Sequence, residues 1–95
     1  MAQPDTARLL IACADQPGIV AAVAGVLAAH EVNIISLDQH STDAEGGRFF
    51  QRTVIHRDGL AAARPALEAD LGAVAERFGM DWSLHDASKR KRVAI

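Results

Sequence analysis

The four histidines and the single cysteine are the side chains that most readily bind metals. His30, His40, His56 and His85 lie outside the spacing of a local metal site, and no second cysteine completes a zinc set with Cys13. His40 and His56 could meet across two strands, but isolated histidines facing water are the favoured interpretation. The sequence therefore predicts no metal site.

No catalytic set is recognisable either. Gly46 and Gly47 belong to a predicted hairpin rather than a phosphate-binding loop, and no hydroxyl or thiol has a recognisable base beside it. Asp15 and Asp38 could converge, but nothing marks either as a general base. The chain is therefore predicted to bind or regulate, and by itself not to catalyse a reaction.

The stretch from Ala14 to Val20 organises the chain, because it ends an apolar strand and begins a helix. Asp15 is predicted either to cap this helix or to contact a ligand, and both interpretations stay open. Pro17 suits the first helical turn, and Gly18 allows close approach of a backbone or a ligand. Free N–H groups and the positive dipole end at such a helix start favour small anions and zwitterions.

Hydrophobic periodicity predicts the elements around this loop. Apolar residues on both faces predict a central strand from Arg8 to Ala14, and one helical face predicts a helix from Gly18 to His30. Strands from Ile34 to Ser41 and from Arg48 to His56 are predicted to pair across a hairpin loop at residues 42–47. The first helix also presents a surface of alanine and glycine.

The second half of the chain supplies another helix and strand. Pro65 predicts that the regular helix runs from Arg64 to Phe78, with residues 60–63 as an approach or an irregular first turn. Alternation predicts a strand from Asp81 to Asp86. The order of the elements is βαββαβ, which predicts an α+β fold of the ferredoxin-like type. Such a fold has a four-stranded antiparallel sheet with both helices on one face. Its open edges and face predict a homodimer or higher homo-oligomer, through strand edges or the alanine-rich first helix.

Composition limits the partners. The chain has 95 residues, enough for one domain, and a formal net charge of −2 that draws it to neither nucleic acid nor anionic membranes. Without a signal pattern or a long apolar run, and with one cysteine, it is predicted to be cytoplasmic. The basic run Lys89 to Arg92 is interpreted as a solvated linker rather than a nucleic-acid patch.

Five stretches carry a resemblance. The loop Asp15-Gln16-Pro17-Gly18-Ile19-Val20, the turn Asn33-Ile34-Ile35 and the order of elements resemble the ACT domain, a small-molecule-sensing module, over about Ala7 to Asp86. The stretches Gly47 to Thr53 and Ala75 to Trp82, with the Lys-Arg-Val tail, are similar to the N-terminal region of formyltetrahydrofolate deformylases. In that family an ACT domain precedes a formyltransferase-like hydrolase domain, which splits 10-formyltetrahydrofolate into formate and tetrahydrofolate.

The resemblance implies an ACT domain at residues 7–87, followed at residues 88–95 by a basic linker and the start of the hydrolase domain. The catalytic Asn, His and Asp of the family lie beyond this stretch, so none is carried over. No cofactor is expected here, since tetrahydrofolate belongs to the other domain.

The resemblance also implies an effector site. ACT domains bind amino acids at a dimer interface, between the loop after the first strand and the start of the second strand of a partner. Glycine or methionine is the implied effector, in an enzyme of one-carbon and purine metabolism. Asn33 could instead be a plain turn residue without a role in binding. The chain as a whole could instead be a stand-alone regulator that acts through protein–protein contacts. On this chain the implied site consists of Asp15, Gln16, Pro17, Gly18, Ile19, Asn33 and Ile34.

Overall fold

A computed structural model of the chain describes residues 5–42 and 47–86. The sheet is antiparallel with the strand order β2-β3-β1-β4, so the α+β ferredoxin-like βαββαβ arrangement is confirmed. Most of the predicted hairpin loop and the predicted basic linker lie outside the described residues. The elements are β1 (Thr6–Ala14), α1 (Ile19–Ala29), β2 (Asn33–Ser41), β3 (Arg48–His56), α2 (Leu60–Phe78) and β4 (Asp81–Asp86).

The core lies between one face of the sheet and the two helices. β1 is central, as predicted, between β3 and β4. Alternate residues of β1 and β3 are buried, and the apolar stripe of each helix closes over them. The largest fully buried side chains are Leu9, Ile19, Leu27, Ile55, Leu67, Val23, Thr53 and Cys13. No helix in the described ranges is long and apolar enough to cross a bilayer.

The regular part of the second helix begins earlier than predicted. α2 starts at Leu60 rather than Arg64, and Pro65 lies inside it. Near a helix start, proline removes one backbone hydrogen bond without breaking the turns that follow. Leu60 is buried and anchors the extra turn in the core, which explains why the helix extends past the proline.

β2 is an edge strand that neither helix covers. All nine of its residues are exposed, although it carries Ile34, Ile35 and Leu37, with 39%, 51% and 39% of their surface accessible. Its register against β3 shifts between Ile34 and Ser36, which marks a bulge. An apolar edge of this length is a ready site for pairing with another strand.

Cys13 makes stability depend on pH. Burial raises the pKa of this thiol above its ordinary value of 9.0; Asp15 adds to the shift and Arg48 opposes it. Below pH 9 the thiol is protonated in both states, but above it the unfolded chain loses its proton first. The free energy of unfolding is therefore expected to fall as pH rises above 9.

Urea unfolding at pH 8 and pH 10 measures this effect, and the near-isosteric variant Cys13→Val is the control. The chain has no tyrosine to titrate in the same range. If the free energy of unfolding fell no more between pH 8 and pH 10 in wild type than in Cys13→Val, the pH dependence could not be assigned to Cys13.

Candidate functional site

The loop between β1 and α1 leaves the start of the helix without a side-chain cap. Gly18 is the N-cap residue, with φ of 91°, and no side chain bonds to the first turn. The Gly18 carbonyl accepts the first helical bond, from the Ala22 N–H at 3.0 Å. The predicted capping role of Asp15 is therefore wrong, because the helix begins too far along the chain for that carboxylate. Instead the Asp15 N–H donates to the Gly47 carbonyl at 3.0 Å.

Gln16 fastens this loop to the end of α2. Its Nε2 donates to the carbonyl oxygens of Ala14 and Phe78, at 3.0 Å in each case. The side chain thus holds the loop in one position relative to the sheet and the second helix. A direct contact between Gln16 and a ligand remains a prediction.

The other loop residues surround the uncapped helix start. Pro17 and Gly18 are exposed, whereas the side chain of Ile19 is only 2% exposed and belongs to the core. A Cβ placed on Gly18 would lie 3.8 Å from the Phe78 ring, an ordinary contact distance. The Arg77 guanidinium stands over that ring, 4.9 Å from its centre, and adds positive charge near the loop.

Asn33 and Ile34 lie at the opposite end of the sheet from this loop. Asn33 pairs with His56, which pairs with Thr6 at the start of β1, while the loop follows the end of β1. A nine-residue strand at about 3.3 Å per residue separates the two ends by about 26 Å. The seven predicted site residues therefore form two separate groups within one copy of the chain.

The turn role considered for Asn33 is wrong. The left-handed position before β2 belongs to Glu31, with φ of 58°, and Asn33 is the first residue of the strand, exposed at the edge. Its carboxamide is therefore free of a turn role. The exposed Ile34 beside it continues the bare apolar edge.

Comparison with known proteins places the chain in a family. The family model that matches describes the ACT domain, and it matches residues 7–72. The chain belongs to the ACT domain family. Formyltetrahydrofolate deformylase of Mycobacterium tuberculosis is 54% identical over 92 residues, which cover 96% of this chain and 30% of that protein. The Bacillus subtilis deformylase is 50% identical over 91 residues, covering 96% of this chain and 30% of that protein.

A solved structure agrees with these sequence matches. The crystal structure of a formyltetrahydrofolate deformylase from Pseudomonas syringae superposes on this ACT domain with a TM-score of 0.80 and 38% identity. The match covers 94% of this chain and 30% of that one. The chain thus spans less than a third of the length of these relatives and is homologous to their N-terminal region.

One group of side chains in the described part of this ACT domain could hold a metal ion. The ligand atoms of Asp5, His56 and Asp58 lie within 4.8 Å of one another, with Asp58 exposed. The sequence did not reveal this group, because only the β1–β3 register brings Asp5 close to His56 and Asp58. A backbone hydrogen bond from the Arg57 N–H to the Asp5 carbonyl, at 3.1 Å, joins the two segments. The alternative pairing of His40 with His56 is wrong, since the two lie near opposite ends of β3.

Proposed function

We propose that this chain is the amino-acid-sensing ACT domain of a formyltetrahydrofolate deformylase, a cytoplasmic enzyme that hydrolyses 10-formyltetrahydrofolate to formate and tetrahydrofolate. The ACT domain at residues 7–87 would be joined through the linker at residues 88–95 to a hydrolase domain. The identity of 54% over 96% of the chain supports this family, and ACT domains generally bind small-molecule effectors and oligomerise. Glycine or methionine is the proposed effector.

The bare edge of β2 is the observation that carries the sensing function. Two copies can pair their β2 strands antiparallel about a two-fold axis normal to the sheet, which joins both sheets into one. This rotation reverses the strand direction. It therefore brings Asn33 and Ile34 of one copy to the same end of the joint sheet as the partner copy's loop after β1. The two groups of predicted site residues, which lie apart in one copy, then line one cleft.

The chemistry of this cleft fits an amino acid. The uncapped N–H groups at the start of α1 bind a carboxylate, aided by the helix dipole. The Asp15 carboxylate, or the side-chain oxygen of Asn33 from the partner copy, accepts hydrogen bonds from the ammonium group. Gln16 holds the loop in place, and Ile34 contributes an apolar surface against the effector side chain.

Thermal unfolding with added amino acids tests this proposal. Glycine or methionine at a hundredfold excess over Kd is expected to stabilise the folded dimer by about 2.7 kcal/mol. For a domain of this size, the expected rise in Tm is about 10 to 20 °C. Asn33→Ala is expected to weaken the shift, while Gln39→Ala, which removes another exposed carboxamide from β2, is expected to leave it unchanged.

The result that would refute amino-acid sensing is a constant Tm across millimolar concentrations of all the common amino acids. Equal shifts in wild type and Asn33→Ala would instead remove Asn33 from the site. Formate release is a separate readout, and the chain alone is expected to show none above a buffer blank with 10-formyltetrahydrofolate.

A further inference from the structure

Three side chains with metal-binding atoms meet where β1 begins and β3 ends. The ligand atoms of Asp5, His56 and Asp58 lie within 4.8 Å of one another, and His56 Nε2 is 3.9 Å from a carboxylate oxygen of Asp58. They come from two segments that are far apart in the sequence. An imidazole together with two carboxylates is a ligand set that suits a borderline divalent cation such as Zn²⁺.

The backbone holds these three side chains in fixed positions. His56 is the last residue of β3 and pairs with the first residue of β1. The Arg57 N–H donates to the Asp5 carbonyl at 3.1 Å, which continues the contact between the two segments beyond the strands. Asp58 comes immediately before Gly59, the N-cap residue of α2. Strand pairing and the helix start therefore preorganise the group before any ion binds.

The two carboxylates lack a basic side chain that would balance their charge. In the described part of the chain, no lysine or arginine forms an ion pair with Asp5 or Asp58. His56, even when protonated, supplies only one positive charge against two negative ones.

The spacing of the group is that of ligands rather than of a hydrogen-bonded pair. His30 and Asp70 close to a hydrogen bond of 2.7 Å, whereas His56 and Asp58 stay 3.9 Å apart. Two ligands at about 2.1 Å from a tetrahedral ion lie about 3.4 Å from each other. The observed separation therefore leaves room for an ion between the two side chains.

We propose that Asp5, His56 and Asp58 bind one divalent transition-metal ion of the Zn²⁺ class. Small rotations of the two aspartate side chains bring the ligand atoms to the separation that tetrahedral coordination requires. The imidazole favours Zn²⁺ over Mg²⁺ and Ca²⁺, which take oxygen ligands. Three protein ligands leave one position for water. The side chain of Asp58 is fully exposed and that of His56 is 33% exposed, so the ion enters directly from solvent.

The site lies at the end of the sheet that also carries Asn33. Asn33 pairs with His56 in the β2–β3 register, so the two side chains lie on the same face. In the edge dimer, the pair of copies joined through β2 in the proposed function, the ion stands beside the cleft for the effector. This last relation rests on the proposed function, whereas the metal site itself does not.

Titration calorimetry of the untagged protein with ZnCl₂, in a buffer free of amino acids, tests the proposal. One ion per chain is expected to bind. Asp5→Asn, His56→Gln and Asp58→Asn are each expected to lower the Zn²⁺ affinity at least about tenfold. Asp70→Asn is the matched control, because it removes the carboxylate of another close histidine–aspartate pair, and it is expected to leave the affinity unchanged. Because its side chain is fully exposed, Asp58→Asn is expected to retain the fold.

NMR spectroscopy locates the ion without any substitution. The imidazole signals of His56 are expected to shift when one equivalent of Zn²⁺ is added, while those of the other three histidines stay in place. The same amount of Mg²⁺ is expected to shift none of them.

The metal site would be overturned if wild type bound no Zn²⁺ or if Asp58→Asn retained the wild-type affinity. Shifts at other histidines in place of His56 would also overturn it, as would Mg²⁺ binding as tight as that of Zn²⁺, which would indicate an unselective acidic surface. The thermal test with amino acids is run in EDTA, which removes the ion. A Tm response without Zn²⁺ binding would therefore refute only the metal site, and Zn²⁺ binding with a constant Tm would refute only amino-acid sensing.

Discussion

Leu37→Lys is expected to abolish both the edge dimer and the thermal response to amino acids. Leu37 is the middle residue of β2, so an antiparallel pair about a two-fold axis brings it against its own copy. It retains 39% of its surface exposed, and covering that surface in both copies contributes about 3 kcal/mol to association. Its loss weakens edge pairing about 100-fold, and two facing lysines add repulsion.

The amino-acid response is expected to disappear with the edge pair because the cleft needs residues from both copies. The measurements are sedimentation at tens of micromolar and Tm with and without glycine or methionine. Leu37→Met, which keeps the size and apolar character, is the matched control and is expected to retain both properties. A full Tm response in a Leu37→Lys variant that no longer pairs at this edge would show that one copy binds the effector alone.

The order of elements could be predicted from the sequence because each strand and helix has its own periodicity. The apolar residues on both faces of β1 predicted its central position in the sheet correctly. The regular helical turn from Leu60 was missed because a buried anchor residue outweighed the proline five positions later. Tertiary burial of this kind has no local signal in the sequence.

The candidate site was harder to predict than the fold. The family resemblance supplied the seven residues, but only the register shows that Asn33 and the loop after β1 lie at opposite ends of one sheet. The cap was misassigned because Asp15 is a strong capping residue by type, while the turn continues to Gly18 before helical geometry begins. The association of Asp5 with His56 was also invisible, since it arises from strand pairing between distant segments.

Gly18→Val is expected to lower the stability of the domain by about 1 to 3 kcal/mol, and its Tm by about 5 to 20 °C. The reason is backbone conformation: Gly18 has φ of 91°, and a β-branched residue is strained there. Crowding is a smaller factor, because the nearest atom to a Cβ at this position is 3.8 Å away.

Gly25→Ala is the matched control for Gly18→Val. Gly25 lies within α1, and nothing stands within 4 Å of a Cβ placed on it. Alanine is expected there to raise stability by up to about 1 kcal/mol, because it favours a helix over glycine. The opposite signs of the two glycine substitutions, measured by urea unfolding without ligand, would assign the effect to φ. If Gly18→Val were as stable as wild type, the left-handed conformation of the N-cap residue would be wrong. The uncapped helix start, which is proposed to bind the effector carboxylate, would then be wrong as well.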